Sequence, residues 1–223
     1  SSKIQVIGED SKNRKQYIYH PIWTLFSKDL KYYKIDNLNF NKFNSIINFK
    51  LKSKEQKNSL IANMFILMRD LNIRVGNEIY FKENDSIGLT TMLKKNVVNN
   101  KLIFKGKKGI VHEKILTDKH FNFIKSLFNI PGKFLFQYFQ NDKIYNITAN
   151  DMNEFLKKYV DKNMTTKDVR TYNANTIFSK KLNELQKLND KKAQINAIKY
   201  TAEQLGNTPK VCKDSYINPN LLS

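Results

Sequence analysis

Leu102-Ile103-Phe104-Lys105-Gly106-Lys107-Lys108-Gly109-Ile110-Val111 is the stretch on which the fold turns. Two apolar runs, too short for helices, flank a tip of two glycines and two lysines, the composition of a tight turn between strands. Working outward, Met92-Leu93 and Val97-Val98 come before it, and Asn99-Asn100 supplies another turn. Residues 92–117 therefore predict three strands in a small antiparallel sheet whose second hairpin carries Lys107 and Lys108 at its tip.

On either side the apolar period is helical. From Ile22 to about Asn72, Ile46, Ile47, Phe49, Leu60, Ile61, Met64, Phe65, Leu67 and Met68 recur at three- and four-residue intervals and predict core helices. Ser53-Lys54-Glu55-Gln56 has capping-box spacing and is expected to start the second of them. Further helices are expected over about 118–129, 149–160 behind Thr148, 166–185 behind Thr165, and 190–205 ending at Gly206. Thr208-Pro209 pairs an N-cap with a first-turn proline, so a short helix should begin there and carry Tyr216 about two turns on. Phe134–Phe139 reads as a buried extended segment. The expected fold class is α+β: a mostly helical domain with a small three-stranded antiparallel sheet.

The N-terminal stretch differs. Ile4-Gln5-Val6-Ile7, the turn-like Gly8-Glu9-Asp10-Ser11-Lys12-Asn13 and the alternating Gln16-Tyr17-Ile18-Tyr19 predict a β-hairpin, and Pro21 punctuates the junction with the helical region. Residues 1–20 are expected to be the C-terminal edge of an N-terminal β lobe that this chain mostly omits, and 21–223 the main domain.

With 223 residues, 40% apolar and 12% aromatic, the chain can bury a core and is not a disordered tail. Lys and Arg number 39 against 20 Asp and Glu, giving +19 and a pI near 9.8, which points to a polyanionic partner, most simply nucleic acid. No apolar run reaches the roughly 18–20 residues a bilayer requires, and Ser1-Ser2-Lys3-Ile4 lacks the apolar core of a secretory signal, so a soluble, intracellular protein without a membrane partner is expected. Cys212 is the single cysteine, and His20, His112 and His120 do not have structural-zinc spacing, so neither an internal disulfide nor a cofactor is expected, and any catalysis is expected to be metal-free or to use carboxylates that the sequence does not advertise. Lysine carries nearly all the positive charge; the arginines are Arg14, Arg69, Arg74 and Arg170. Where so lysine-rich a chain uses arginine, the bidentate fork that lysine cannot supply to a phosphate is a reason.

A phosphodiester cleaved without a metal needs cations on its non-bridging oxygens, a nucleophile, and an acid for the departing oxygen. Arg74, Lys107, Arg170 and Tyr216 are residues of those types, each weak evidence alone.

Taken together, Gly76-Asn77-Glu78…Tyr80…Lys82-Glu83-Asn84…Gly88-Leu89-Thr90-Thr91, Phe104-Lys105-Gly106-Lys107…His112-Glu113, Lys167-Asp168-Val169-Arg170-Thr171 and Leu205-Gly206-Asn207-Thr208-Pro209…Ser215-Tyr216-Ile217 resemble the type IB DNA topoisomerases of the short poxviral, giant-virus and bacterial kind, in the same order. Gly8 to His20 resembles the DNA-contacting end of that family's N-terminal lobe. The resemblance implies a catalytic domain that nicks one strand of duplex DNA through a 3′-phosphotyrosyl intermediate, lets supercoils relax and reseals, as a monomer without ATP or metal. It implies Tyr216 as nucleophile, Arg74 and Arg170 on the non-bridging oxygens, Lys107 on a mobile hairpin as general acid, and Lys167 as a lysine that helps expel the 5′ oxygen. Gln16, Tyr17, Tyr19, Gly76 and Tyr80 resemble DNA-contacting positions. Asn207 departs from the pattern: many relatives have histidine there, and an amide can donate a hydrogen bond but brings neither charge nor proton exchange. His112 and His120 are read as partly buried polar residues without chemistry, and Cys212 as a small buried one. A DNA-associated place in a bacterial cytoplasm, or a viral factory or virion, follows from the same resemblance.

Two other readings stay open on the sequence. Leu205-Gly206-Asn207 followed by Tyr216 is also close to the terminal box of tyrosine site-specific recombinases, although Lys167 and Thr171 around Arg170 resemble topoisomerases instead. A DNA-binding fragment inactive through truncation is the other.

Overall fold

The structure is a computed structural model that describes residues 3–11, 13 and 15–222. Arg14, and Lys12 of the expected first turn, lie outside the described residues. The chain divides into two compact units, Ser1–Leu38 and Asn39–Ser223.

In the first unit, β1 (Ile4–Glu9) and β2 (Lys15–Tyr19) form the expected antiparallel hairpin, with a register irregularity between Ile4 and Val6. Helix α1 (Pro21–Asn37) begins with proline in its first turn, and His20 Nδ1 accepts the Ile22 N–H. The switch from strand to helix thus falls at Pro21, where the sequence reading drew a boundary, whereas the compact units divide only after α1.

The second unit is built around α3 (Gln56–Leu71). Leu60, Ile61, Ala62, Met64, Phe65, Ile66, Leu67 and Met68 are all buried, so the helix is apolar nearly all round and sits inside the unit. Before it, α2 (Phe40–Lys50) starts from an Asn39 side-chain cap on the Lys42 N–H and packs Phe43 edge-on against Phe65, with 5.5 Å between centroids. The expected capping box does not start α3. The helix begins at Gln56 with Glu55 as N-cap, because Ser53 Oγ is taken by the Glu55 N–H and Glu55 itself turns to Asn58.

Next come α4 (Glu78–Asn84), capped by Asn77, and the three-stranded antiparallel sheet, β3 (Val97–Val98), β4 (Lys101–Lys105) and β5 (Val111–Ile115), in sequential order. Lys107 and Lys108 stand at the β4–β5 tip as expected. Helix α5 (Asp118–Ser126) leads to the 134–139 segment: Leu135, Phe136 and Tyr138 are buried, and the Leu135 N–H bonds the Met92 carbonyl. Its end is strand β6 (Gln137–Gln140), which pairs with β7 (Lys143–Asn146) in a hairpin the sequence reading missed, as it missed α4.

Four helices complete the unit: α6 (Ala149–Tyr159), α7 (Thr166–Lys187), α8 (Ala193–Leu205) and α9 (Pro209–Ser215). Reciprocal Thr148–Asp151 and Thr165–Asp168 bonds cap the first two. Ala174 and Phe178 of α7, Ala197, Ile198 and Ala202 of α8, and Cys212 form one buried cluster. The three alanines let the helix backbones approach closely, and Tyr216 packs against this floor. Among the described residues no helix is long and apolar enough to cross a membrane.

Candidate active site

Arg74 follows α3 in an extended strip. Its carbonyl accepts the Leu89 N–H at 2.9 Å, and the Val75 carbonyl accepts the Thr90 N–H at 2.8 Å. The two strips lie so close that a methyl on Gly88 would sit 2.5 Å from Gly76 Cα and 2.7 Å from the Arg74 carbonyl oxygen, so only glycine fits there. One residue earlier, the Ile87 N–H bonds the Lys105 carbonyl at 2.8 Å, which joins the Arg74 strip to the base of the lysine hairpin.

Arg170 is almost wholly buried in α7, 6% exposed. Nη1 donates to the Asn72 carbonyl at 2.5 Å and Nη2 to the Leu205 carbonyl at 2.7 Å. Both acceptors end helices: Asn72, left-handed at φ 55°, closes α3, and Leu205 is the last residue of α8. A cation there meets carbonyls that their helices leave without partners. Burial, then the charge of Arg74, lowers the Arg170 pKa to about 10, and the group stays cationic at neutral pH.

Tyr216 caps the C-terminus of α9, with its N–H on the Cys212 carbonyl at 2.9 Å. The Arg170 guanidinium carbon lies 5.5 Å from the ring centroid. Burial alone would raise the phenol's pKa. Charge and hydrogen bonding from Arg170, then Arg74, outweigh it and hold the phenol below its ordinary value. Asn175 of α7 fixes the backbone on both sides: Nδ2 donates to the Tyr216 carbonyl at 2.9 Å and Oδ1 accepts the Asn218 N–H at 2.8 Å.

Asn207 sits in the turn after α8, where Gly206 takes the left-handed φ of 61°. Arg74 Nη2 donates to Asn207 Oδ1 at 2.5 Å, and Asn207 Nδ2 is buried with no hydrogen-bond partner among the described residues. Arg74, Arg170, Asn207 and Tyr216 are therefore brought together. Lys107 and Lys167 are exposed, and no hydrogen bond or ion pair joins either ammonium to another described residue.

Of the expected DNA-contacting positions, Gln16, Tyr17 and Tyr19 lie on β2 of the first unit, where the two tyrosine rings stack 6.3 Å apart. Gly76 and the exposed Tyr80 lie beside and on α4 in the second. Cys212 is buried as expected, and burial raises its pKa to about 11. His120 is buried with Nε2 3.1 Å from an Asp70 carboxylate oxygen. The sequence reading missed Asn72, whose carbonyl holds Arg170, Asn175, whose amide holds the Tyr216 carbonyl, and Lys114, whose Nζ donates to the Gln204 carbonyl at 3.0 Å. Nothing in their local spacing distinguishes them from other Asn and Lys residues. Among the described residues no group of three or more His, Cys, Asp or Glu is placed to hold a metal ion.

A family model described as "Eukaryotic DNA topoisomerase I, catalytic core" matches residues 23–218. The chain is 33% identical to the "DNA topoisomerase 1B" of Acanthamoeba polyphaga mimivirus, over 97% of this chain and 70% of the relative. It is 30% identical to the "DNA topoisomerase 1" of Rabbit fibroma virus (99% and 72% covered), and 28% identical to the "DNA topoisomerase 1B" of Vaccinia virus with the same coverage.

Proposed function

The chain belongs to the type IB DNA topoisomerase family and is an isomerase acting on duplex DNA; from that premise we propose that Tyr216 is its nucleophile and that Arg74, Arg170, Asn207, Lys107 and Lys167 complete the chemistry. The phenolic oxygen attacks the scissile phosphorus, and the bond to the 5′ oxygen breaks. The strand's 3′ phosphate is then joined to Tyr216 and a 5′ hydroxyl is released. After supercoils relax, that hydroxyl attacks the phosphotyrosyl ester and restores the strand. One phosphoester replaces another at each step, so no ATP is consumed.

The observation that carries this reading is a half-buried phenol with the Arg170 guanidinium carbon 5.5 Å from its ring centroid, whose pKa Arg170 and then Arg74 hold below the ordinary value. Charge that favours phenolate also favours the five-coordinate phosphorus, whose non-bridging oxygens Arg74 and Arg170 would hold. Asn207 would donate its unpartnered Nδ2–H to one of them, in place of an imidazole. An alkoxide departing from O5′ needs a proton, which an ammonium group can donate. Lys107 is the donor in this reading, with Lys167 assisting. Gln16, Tyr17, Tyr19, Gly76 and Tyr80 approach DNA, and lysine contacts to phosphate release roughly 0.9 counterions each, so binding weakens steeply with salt. Residues 1–20 are the edge of an N-terminal β lobe and 21–223 the catalytic domain. The enzyme works as a DNA-associated monomer without metal or cofactor, in a bacterial cytoplasm or in a viral factory or virion.

The test is to trap the protein on a nicked suicide duplex and identify the DNA-linked peptide by mass spectrometry. Attachment at Tyr216, undiminished by chelator, is expected. A crosslink on another side chain, or turnover lost in chelator, overturns the scheme.

A further inference from the structure

His112, on β5, is 9% exposed and has its ring stacked on Phe104 of β4, with 5.2 Å between centroids. Glycines bound it on two other sides. A methyl on Gly206 would lie 2.2 Å from His112 Cε1, and one on Gly106 would lie 2.6 Å from Cδ2 and Nε2. The ring therefore fills a slot that exists only because both neighbours lack a side chain. Each of these glycines immediately precedes a residue of the proposed chemistry: Gly106 precedes Lys107 and Gly206 precedes Asn207. Two residues along the same strand face, Lys114 Nζ bonds the Gln204 carbonyl at 3.0 Å, so β5 meets the C-terminal end of α8 at two points. The next carbonyl, that of Leu205, takes Arg170 Nη2. Burial first, then the charges of Lys114, Arg74 and Arg170, keep the imidazole neutral, and a neutral ring contributes shape here.

We propose that His112 is a positioning residue: its ring is the spacer that holds the Lys107 hairpin and the Gly206–Asn207 turn at one separation, and so aims the proton donor at the departing oxygen. This rests on Lys107 being the general acid. A misplacement of about 1 Å costs on the order of 100-fold in rate.

The experiment measures single-turnover cleavage by His112→Ala on an ordinary suicide duplex and on one carrying sulfur at the bridging 5′ position. A departing thiolate needs no proton. His112→Ala is expected to cleave the ordinary duplex about 10- to 100-fold more slowly and the sulfur duplex within about threefold of the parent protein. Non-covalent DNA affinity, read in a Tyr216→Phe background, should stay within about twofold. Lys107→Ala runs alongside: if sulfur does not rescue it, the general-acid reading of Lys107 falls. If sulfur rescues Lys107→Ala and not His112→Ala, or if His112→Ala shows no defect, the positioning role falls. Should His112→Ala not fold, Gly106→Ala decides between the outcomes alone. Its φ of −90° accepts a side chain without strain, and the new methyl displaces the ring. A normal rate on the ordinary duplex, or a defect that persists on the sulfur duplex, overturns the proposal.

Discussion

Tyr216 rests on a buried floor that includes Phe178, Ile198 and Cys212, with Arg170 beneath its ring, whereas Lys107 stands exposed at a tip closed by two backbone hydrogen bonds, Gly106 N–H to Ile110 and Gly109 N–H to Gly106. Lys108 beside it takes a left-handed φ of 62°. The difference has a physical basis. Guanidinium groups that hold a phosphate must be fixed before DNA arrives, because reorganising them during the reaction would cost much of their electrostatic benefit. A fixed cation in a buried place needs acceptors, and the Asn72 and Leu205 carbonyls supply them. An ammonium on a short surface hairpin stays hydrated and leaves the core independent of it.

Substitutions should break the two regions differently. The largest effect is expected of Tyr216→Phe, which keeps the ring and removes the oxygen: covalent adducts and relaxation should vanish in gel assays while duplex binding remains. Arg170→Ala comes next and should damage chemistry and fold together. Cleavage is expected to fall at least about 100-fold. Two buried carbonyls lose their partner at about 1–3 kcal/mol each, which a thermal melt would register. Arg170→Lys should recover little, since one ammonium on a flexible stem cannot span both acceptors. Lys107→Ala should slow cleavage by about 10²–10⁴-fold and leave the melting temperature unchanged. If it lowers the melting temperature as Arg170→Ala does, the contrast between the regions is wrong.

Two smaller effects sharpen the picture. Asn175→Ala frees the backbone on both sides of Tyr216 and is expected to cost about 1–3 kcal/mol with a modest loss of cleavage rate. The imidazole of His112 has its pKa lowered from 6.5 to about 4 by burial and by Lys114, Arg74 and Arg170. Below pH 6.5 the unfolded chain binds a proton that the native one refuses. Stability from this group is therefore full above that pH and lost as pH falls toward 4. Denaturant titrations between these limits should give a loss on the order of 2–3 kcal/mol, flattened in His112→Gln.

Much of this fold is legible locally. The three-strand region, the helix caps at Thr148, Thr165 and Thr208, and the position of Tyr216 after a short proline-led helix all follow from spacing within a few residues. The failures are local too. Ser53 has the right spacing for a cap, but its hydroxyl bonds the Glu55 N–H, and α3 starts later. Strand β7 alternates too weakly to be seen, because its side chains face solvent or half-face it, and it is held through pairing with β6. Helix α4 has no buried residue, so it offers no apolar period to read.

The sequence by itself determined the three-strand region and all the helices but α4, the charge that calls for a polyanion, and the ordered motifs that resemble a family, since each depends on residues close together in the chain. Only the tertiary structure decided that Arg170 is buried against two helix ends, that Asn207 accepts from Arg74, and that His112 sits between two glycines. Arg170 reaches its carbonyls across 98 and 35 residues, and Arg74 reaches Asn207 across 133. Contacts over such separations are set by how helices pack, and no periodicity records them.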